Sequence, residues 1–396
     1  MLTSLIAALS KQVCPYCFEP YRLGQAPFRC VSPGSRCAPE RDEVRAAKWG
    51  ENLALGRVLP ERGAFHRQTI CPACGQRSGK RLCPHCHMEQ PHTVGCYRSF
   101  IFAIIGAKEA GKSHYLAVLI EQIKKQLGPT LGILLEPMND ATIRRYRQDF
   151  YEPLYEHGSV IRATHSALSD RRVQMPLIYS LTLTSRSGSG ARRIRGVVTL
   201  VFFDTAGEDL DDEDVMATVN KYIYRADGIL LLLDPLQLRR VRAKLDCSVA
   251  LPEVNTETAT ILERTTKLIR LGRDLPLTRP IDAPLALAFS KFDAVEGLLD
   301  PQLQLNAASH HDHGFDRADF EAVNAEMQAL LAEWDSGQIQ QAAETHYRRF
   351  GFFGISALGC SPLGGGRVPR ILPRRVEDPF LWLLHCHGLV PARDRS

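Results

Sequence analysis

The segment 106–113 constrains the fold of this chain more than any other. Its sequence, GAKEAGKS, follows an apolar run that ends at Ile105 and precedes a helical pattern that starts at Lys112. The pattern G-x-x-x-x-G-K-[S/T] between a strand and a helix is typical of a loop whose backbone N–H groups surround a phosphate. We therefore expect a strand–loop–helix unit with an anion site at the N-terminus of the helix.

The residues of this loop have expected contacts with a nucleotide. Lys112 would reach the β- and γ-phosphates, and the Ser113 hydroxyl would bind Mg²⁺, which prefers oxygen ligands. The other residues that we expect to line the nucleotide are Gly106, Lys108, Glu109, Ala110, Gly111 and His114. The loop thus predicts a nucleoside triphosphate site that contains Mg²⁺.

Apolar runs of strand length recur after the loop and alternate with helical stretches. They cover residues 100–106, 197–203, 228–234, 284–290 and 350–356. Continuous Val, Ile, Leu and Phe runs separated by helices indicate a parallel sheet that is covered on both faces. We therefore expect a doubly wound, mostly parallel α/β domain over residues 99–390, with an edge strand at 177–184 and an insertion at 137–173.

A second acidic motif, DTAGED, follows the run at 197–203. Asp204 ends that run, and Gly207 lies three residues later. An Asp at this position can hold Mg²⁺ through water. The Gly207 N–H can contact a γ-phosphate, so that the loop would respond to the presence of that phosphate.

A third motif, SKFD, follows the run at 284–290 and predicts which base is read. The Asp293 carboxylate offers two acceptors that match the N1–H and N2–H₂ donors of guanine, whereas adenine has an acceptor at N1. Lys291 would lie along the base plane, and Ser290 stands where Asn is commoner. A fourth segment after the last run, with Ser356, Ala357 and Leu358, would supply a backbone N–H to the guanine O6.

These four motifs in this order resemble the translation-factor-related (TRAFAC) class of P-loop GTPases over about residues 99–390. The resemblance implies GTP hydrolysis, with Lys112, Thr164, Gly207 and Glu208 as the catalytic set. It implies that Ser113, Asp204 and the switch residue Thr164 hold Mg²⁺. Glu208 occupies a position where a water-orienting Gln is common, so a partner or self-association would stimulate hydrolysis.

The layout also resembles the bacterial double-GTPase family, which has cysteine pairs in front, GAKEAGKS, DTAGED, LLLDP and a helix after DPFLWLL. This resemblance implies a role in conflict, or defence, systems beside a partner GTPase or an effector. Two alternatives remain open. One is a scaffold that holds GTP or GDP without hydrolysing it, and the other is a nucleic-acid-associated NTPase.

Residues 1–98 form a cysteine-rich region that predicts one or two structural zinc ions. Each Cys-x-x-Cys knuckle can present two thiolates, and four thiolates complete a tetrahedron without an open position. We expect one set from Cys14, Cys17, Cys30 and Cys37 and a second set from Cys71, Cys74, Cys83 and Cys86. Pairing across the sets is the alternative, with His66, His85, His87 and His92 as further ligands.

Composition and charge narrow the other possibilities. The chain has 44% apolar residues, 23% charged residues and a net charge of +5, which is mild for a dedicated nucleic-acid binder. The N-terminal run has no basic start, and no run approaches the ~18 apolar residues of a membrane span, so we expect a cytoplasmic protein. A solvated basic face is expected from Arg22, Arg29, Arg36, Arg41, Arg45 and Lys48, and a surface loop from His310, His311 and His313.

Overall fold

A computed structural model describes residues 8–32, 37–50, 52–97, 99–106, 109–161, 176–186, 192–202, 221–245, 251–253, 258–309, 311, 313–335 and 337–393. The chain groups into two compact units. The first contains residues 1–99 and 196–199, and the second contains residues 100–195 and 200–396. We refer to them as the cysteine unit and the sheet unit.

The cysteine unit consists of short antiparallel strand pairs and a helix, α1 (Glu43–Trp49). In chain order its strands are β1 (Lys11–Val13), β2 (Pro20–Arg22), β3 (Phe28–Arg29), β4 (Glu40–Arg41), β5 (Ala54–Leu55), β6 (Val58–Leu59), β7 (Thr69–Ile70) and β8 (Arg77–Ser78). Strand β1 pairs with β2, β3 with β6, β4 with β5, and β7 with β8. Elements of this length bury little apolar surface, so such a unit needs another source of stability.

Helix α1 is anchored by a buried ion pair at its N-terminus. Asp42 caps the helix by accepting a hydrogen bond from the Arg45 N–H at 3.1 Å, and it binds the Arg29 guanidinium at 2.6 Å. Arg29 also donates to the Gly56 carbonyl at 3.0 Å. Burial acts to raise the pKa of Asp42, but these donors outweigh it and lower that pKa. Arg29 is therefore a buried structural residue and does not belong to the solvated basic face that we expected.

The sheet unit contains a seven-stranded, mostly parallel sheet, which confirms the predicted mixed α/β architecture. Its order is β10-β11-β12-β9-β13-β14-β16. The strands are β9 (Ile101–Gly106), β10 (Ile133–Pro137), β11 (Leu177–Arg186), β12 (Arg192–Phe202), β13 (Gly228–Leu233), β14 (Leu285–Phe289) and β16 (Phe350–Gly354). Strands β9, β13, β14 and β16 run parallel, and β10 is antiparallel to β11.

The parallel strands end together at one edge of the sheet. Gly106 of β9 lies beside Leu232, Leu233 of β13 lies beside Phe289, and Phe289 of β14 lies beside Gly354. This alignment brings the segments that follow β9, β13, β14 and β16 to the same side. We call this side the carboxyl edge.

The helices of the sheet unit connect and cover these strands. They are α2 (Lys112–Gln122), α3 (Gly128–Leu131), α4 (Asp140–Arg145), α5 (Lys221–Arg225), α6 (Arg239–Arg242), α7 (Thr258–Arg273), α8 (Arg317–Asp335), α9 (Gln338–His346) and α10 (Asp378–Cys386). π-Helical turns extend α2 through Ile123–Leu127 and α4 through Tyr146–Glu156. Within the described ranges, no helix is long and apolar enough to cross a membrane.

Two further parts of the sheet unit were not anticipated. The region that we interpreted as an insertion at 137–173 contains α4 and its π-helical extension, and it follows strand β10, which has an exposed Leu134. The pair β15 (Phe315–Asp316) and β17 (Ala392–Arg393) joins the start of α8 to the end of the chain in parallel. The strand that we predicted as the edge at 177–184 is β11, which lies between β10 and β12, so the edge strand is β10. The sequence signals were weak here because β10 is half-exposed and β15 and β17 are only two residues long.

Helix α10 is joined to α8 by a buried charged network. Arg375 binds Asp319 at 2.7 Å and Asp378 at 2.8 Å, and its side chain is 1% exposed. His311 contacts Asp378 at 2.9 Å and stacks on Phe315 with 5.5 Å between ring centroids. The prediction that His311 lies on a surface loop is therefore wrong, since its imidazole is buried against a carboxylate.

Candidate functional site

Eight cysteines of the cysteine unit form two clusters of four sulfurs. One cluster consists of Cys14, Cys17, Cys83 and Cys86, and the other of Cys30, Cys37, Cys71 and Cys74. In each cluster the sulfurs lie within 4.8 Å of one another. The shorter Sγ···Sγ distances are 3.7 Å for Cys14–Cys86 and for Cys17–Cys83, 3.6 Å for Cys30–Cys74 and 3.9 Å for Cys37–Cys71.

These distances fit tetrahedral zinc. A Zn–S bond of about 2.3 Å gives a sulfur–sulfur edge of about 3.8 Å in a regular tetrahedron. A disulfide would need sulfurs at about 2.0 Å, which none of these four pairs approaches. Both clusters are therefore compatible with structural zinc, and four protein ligands leave no open position for a substrate.

The first of the two predicted groupings is wrong and the alternative, pairing across the sets, is confirmed, because each cluster combines cysteines from both expected sets. The cause is an antiparallel contact in which the Leu82 N–H donates to the Pro27 carbonyl at 2.8 Å and the Arg29 N–H donates to the Lys80 carbonyl at 2.9 Å. This contact brings the chain before residue 27 beside the chain after residue 82, so the first and last knuckles meet. The two inner pairs of cysteines meet on the other side of the contact.

The three Cys-x-x-Cys knuckles share one backbone geometry. The residue after the second Cys has a left-handed φ in each: 56° for Phe18, 71° for Gly75 and 53° for His87. The N–H of that residue donates to the carbonyl of the first Cys at 2.9, 2.8 and 3.0 Å respectively. Such a turn directs both thiols to one side. Because Phe, Gly and His all adopt this φ after the second Cys, the Cys-x-x-Cys spacing predicts a knuckle and the identity of the following residue does not.

Groups around the outer cluster, which contains Cys14, are arranged to support thiolates. The Tyr16 and His85 N–H groups point at Cys14 and Cys83 at 3.5 and 3.3 Å, and the Gln90 amide donates to Cys14 at 3.4 Å. Burial raises the pKa of Cys14 well above its usual value. A bound cation would supply the charge that keeps this thiol deprotonated, and binding would release its proton.

In the sheet unit, the segment 106–113 lies at the carboxyl edge between β9 and α2. Gly111 has φ = 76° and caps α2, and Glu109 has φ = 62°. A Cβ on Gly106 would lie 2.8 Å from the Leu232 carbonyl oxygen, so only glycine fits there. The Lys112 ammonium donates to the Gly106 carbonyl at 2.9 Å, which folds its side chain back over the loop.

The SKFD segment lies at the same edge. The Lys291 ammonium binds Asp234 at 2.7 Å, and the Ser290 hydroxyl donates to the Leu233 carbonyl at 3.1 Å. Burial, and then the charge of Lys291, lower the pKa of His114 to about 4, so this residue of the first motif lies within electrostatic reach of the third. Asp234 was not among the predicted site residues. The signal for it was an acidic residue at the end of a parallel strand, in LLLDP.

Asp293 and the segment after β16 are joined directly. The Ser356 hydroxyl donates to Asp293 Oδ1, and the Gly359 N–H donates to the same hydroxyl oxygen at 2.8 Å. The Leu358 carbonyl accepts from the Leu372 N–H at 2.8 Å. Three of the four predicted motifs therefore lie at the carboxyl edge. Lys108, Thr164, Asp204, Gly207 and Glu208 lie outside the described residues.

The His114 imidazole makes a further contact that the sequence did not indicate. Its Nε2 accepts a hydrogen bond from the Ile161 N–H at 3.1 Å. The acceptor role requires the neutral imidazole, which agrees with the lowered pKa of this residue.

The chain is 27% identical over 412 aligned positions to SaeC of Mycolicibacterium smegmatis, which is named for a proposed role as an ESX-1 scaffolding and assembly protein. The similarity covers 95% of this chain and 99% of SaeC. It therefore extends over the cysteine unit as well as the sheet unit. No protein-family model matches the chain.

Proposed function

We propose that this protein binds guanine nucleotide with Mg²⁺ at the carboxyl edge. The observation that carries the proposal is the convergence there of Gly106 at the end of β9, Lys291 and Asp293 after β14, and Ser356 after β16. In open α/β sheets, ligands bind beyond the carboxyl ends of the strands, at the point where the strand order reverses. In this sheet β10, β11 and β12 lie on one side of β9, whereas β13, β14 and β16 lie on the other. The strand order therefore reverses at β9.

Each group has a chemical role in this proposal. The N-terminus of α2 and the Lys112 ammonium bind the phosphates, and Ser113 and Asp204 hold Mg²⁺. Asp293 accepts hydrogen bonds from two guanine donors, and Ser356 orients its carboxylate. Lys291 is fixed by Asp234, which holds its alkyl stem beside the base site.

Equilibrium binding of GTP, GDP and ATP to the full chain with Mg²⁺ tests this proposal. We expect guanine-selective binding and a loss of about a hundredfold on Lys112→Ala, because the phosphates lose a charged hydrogen-bond donor. Lys267→Ala, which removes an exposed lysine of α7, is the matched control. A preference for ATP, or unchanged affinity for Lys112→Ala, would refute the proposal.

The similarity to SaeC favours a role in assembling proteins, which is the scaffold alternative, over a defence role. We propose that the bound nucleotide controls this assembly. Purification of the tagged chain from its own cells, loaded with GDP or with a non-hydrolysable GTP analogue, should yield protein partners that differ between the two states. If the two nucleotide states and the Lys112→Ala variant all bind the same partners, the chain would be a scaffold whose assembly is not controlled by nucleotide.

Hydrolysis is a separate part of the proposal, because Glu208 stands where a Gln commonly orients the attacking water. A single-turnover assay with GTP, in the absence and presence of any purified partner, measures it. Turnover that requires the partner would support a switch. Turnover in neither condition would support a scaffold that only holds the nucleotide.

A further inference from the structure

The guanine-reading Asp293 lies on a short 3₁₀-helix, Phe292–Leu298, that follows β14. One of its carboxylate oxygens is held by Ser356. Discrimination of guanine by a carboxylate depends on its orientation, since both oxygens must meet two donors on the same base edge. A residue that fixes Ser356 and this 3₁₀-helix together would therefore control selectivity without contacting the base.

Arg374 makes both connections. Its N–H donates to the Ser356 carbonyl at 2.8 Å, and its carbonyl accepts from the Ser356 N–H at 3.0 Å. Its guanidinium binds Glu296 through two parallel hydrogen bonds, Nη1 to Oε1 at 3.0 Å and Nη2 to Oε2 at 2.5 Å. Glu296 follows Asp293 by three residues, so the two side chains lie one above the other on a 3₁₀-helix.

We infer that Arg374 is a positioning residue for guanine recognition, which fixes Asp293 from the Ser356 side through its backbone and from the helix side through Glu296. The inference rests on the proposed function. The paired geometry is specific to arginine, because a lysine cannot form two parallel hydrogen bonds with one carboxylate.

The charges at this position explain why both members of the pair are needed. Glu296 and, to a smaller degree, Asp293 raise the pKa of Arg374, so the guanidinium lies within electrostatic reach of the carboxylate that must face the base. Glu296 holds the guanidinium in a bidentate pair. Without Glu296, Arg374 would be free to bind Asp293 and would compete with guanine for the same oxygens.

A comparison of GDP with inosine diphosphate measures the orientation of Asp293. The two ligands differ only in the guanine N2 amine, so their affinity ratio reports whether the second carboxylate oxygen is in position. We expect Arg374→Lys and Glu296→Gln each to reduce this ratio by about tenfold, with smaller effects on inosine diphosphate itself. The exchange Arg374→Glu with Glu296→Arg restores the pair and should recover part of the ratio.

The control is Arg317→Lys, which alters an exposed pair of similar length, 2.8 Å to Glu321, on α8. An unchanged affinity ratio, whether both affinities fall equally or neither falls, would overturn the inference. Arg374 would then support only the folding of the loop. Absence of guanine-nucleotide binding by the unaltered chain would instead refute the proposed function, and this inference with it.

Discussion

The cysteine unit and the sheet unit are stabilised by different means. The strands of the first are two or three residues long, and its central residues include Phe28 and Leu59 packed against cluster cysteines. In the second, every residue of β9, β13 and β14 is buried. The cysteine unit instead has two clusters of four cysteines that are compatible with structural zinc, and a zinc ion in each would take the place that apolar burial has in the sheet unit.

This difference determines how each unit should respond to change. Four ligands share one ion, so the loss of one ligand removes an interaction on which the whole cluster depends. Burial in the sheet is spread over many side chains, and the loss of one changes stability by a limited amount. Each cluster of the cysteine unit should therefore respond in an all-or-none manner, and the sheet unit in a graded one.

The largest expected effect is the loss of a cluster. Cys14→Ser should remove one of two zinc ions and unfold the part of the cysteine unit around that cluster, since a structural zinc contributes on the order of 10 kcal/mol. Metal content of the purified protein and thermal unfolding measure this. Cys360→Ser, at a half-buried cysteine outside both clusters, should keep two ions.

Paired substitutions sharpen the same test. Cys14→Ser with Cys86→Ser removes two ligands of one cluster and should leave one zinc ion. Cys14→Ser with Cys30→Ser affects both clusters and should leave none. No zinc in the first double variant and one zinc ion in the second would mean that the cysteines group in sequence order.

The second expected effect tests the graded response of the sheet unit. Arg375→Met leaves Asp319 and Asp378 buried without their cation, which should cost about 4 kcal/mol. Denaturant unfolding measures this change. Arg317→Met breaks an exposed pair and should cost less than about 1 kcal/mol. Equal costs at the two positions would contradict the view that burial decides the effect.

The sequence predicted most of the sheet, because continuous apolar runs and the Gly106 loop carry strong local signals. It also predicted the eight cysteines of the clusters, six of them from the Cys-x-x-Cys spacing of the three knuckles and two, Cys30 and Cys37, from their place between the knuckles. It left open how the knuckles pair, because that depends on the contact between Arg29 and Lys80, which are 51 residues apart and carry no mutual signal. Asp234 carried a local signal, an acidic residue at the end of a strand, but its pairing with Lys291, 57 residues later, is not visible in the sequence.

The third effect concerns the loop that follows β16. Gly359 has φ = +76°, and a Cβ there would lie 2.0 Å from the Leu372 carbonyl oxygen. Gly359→Ala should therefore lower the free energy of unfolding by about 3 kcal/mol. Gly388→Ala is the matched control, because its φ is +68° and no atom lies within 4 Å, so only the backbone cost of about 1 kcal/mol applies. Similar losses at both positions would mean that the loop moves to relieve the contact.

The smallest effect is the pH dependence that His311 gives to the sheet unit. Burial acts to lower the pKa of His311, and the Asp316 N–H, which donates to Nδ1 at 3.2 Å, favours the neutral ring; the hydrogen bond to Asp378 and the nearby carboxylates of Glu377 and Asp319 outweigh both and raise the pKa. A raised pKa contributes stability that is complete below the unfolded value and is lost as the pH rises through the folded value. The difference in unfolding free energy between the natural chain and His311→Gln should therefore be larger at about pH 6 than at about pH 8.5. A difference that is constant over this range, or that grows with pH, would show that the buried imidazole is neutral and that Asp378 is balanced by Arg375 alone.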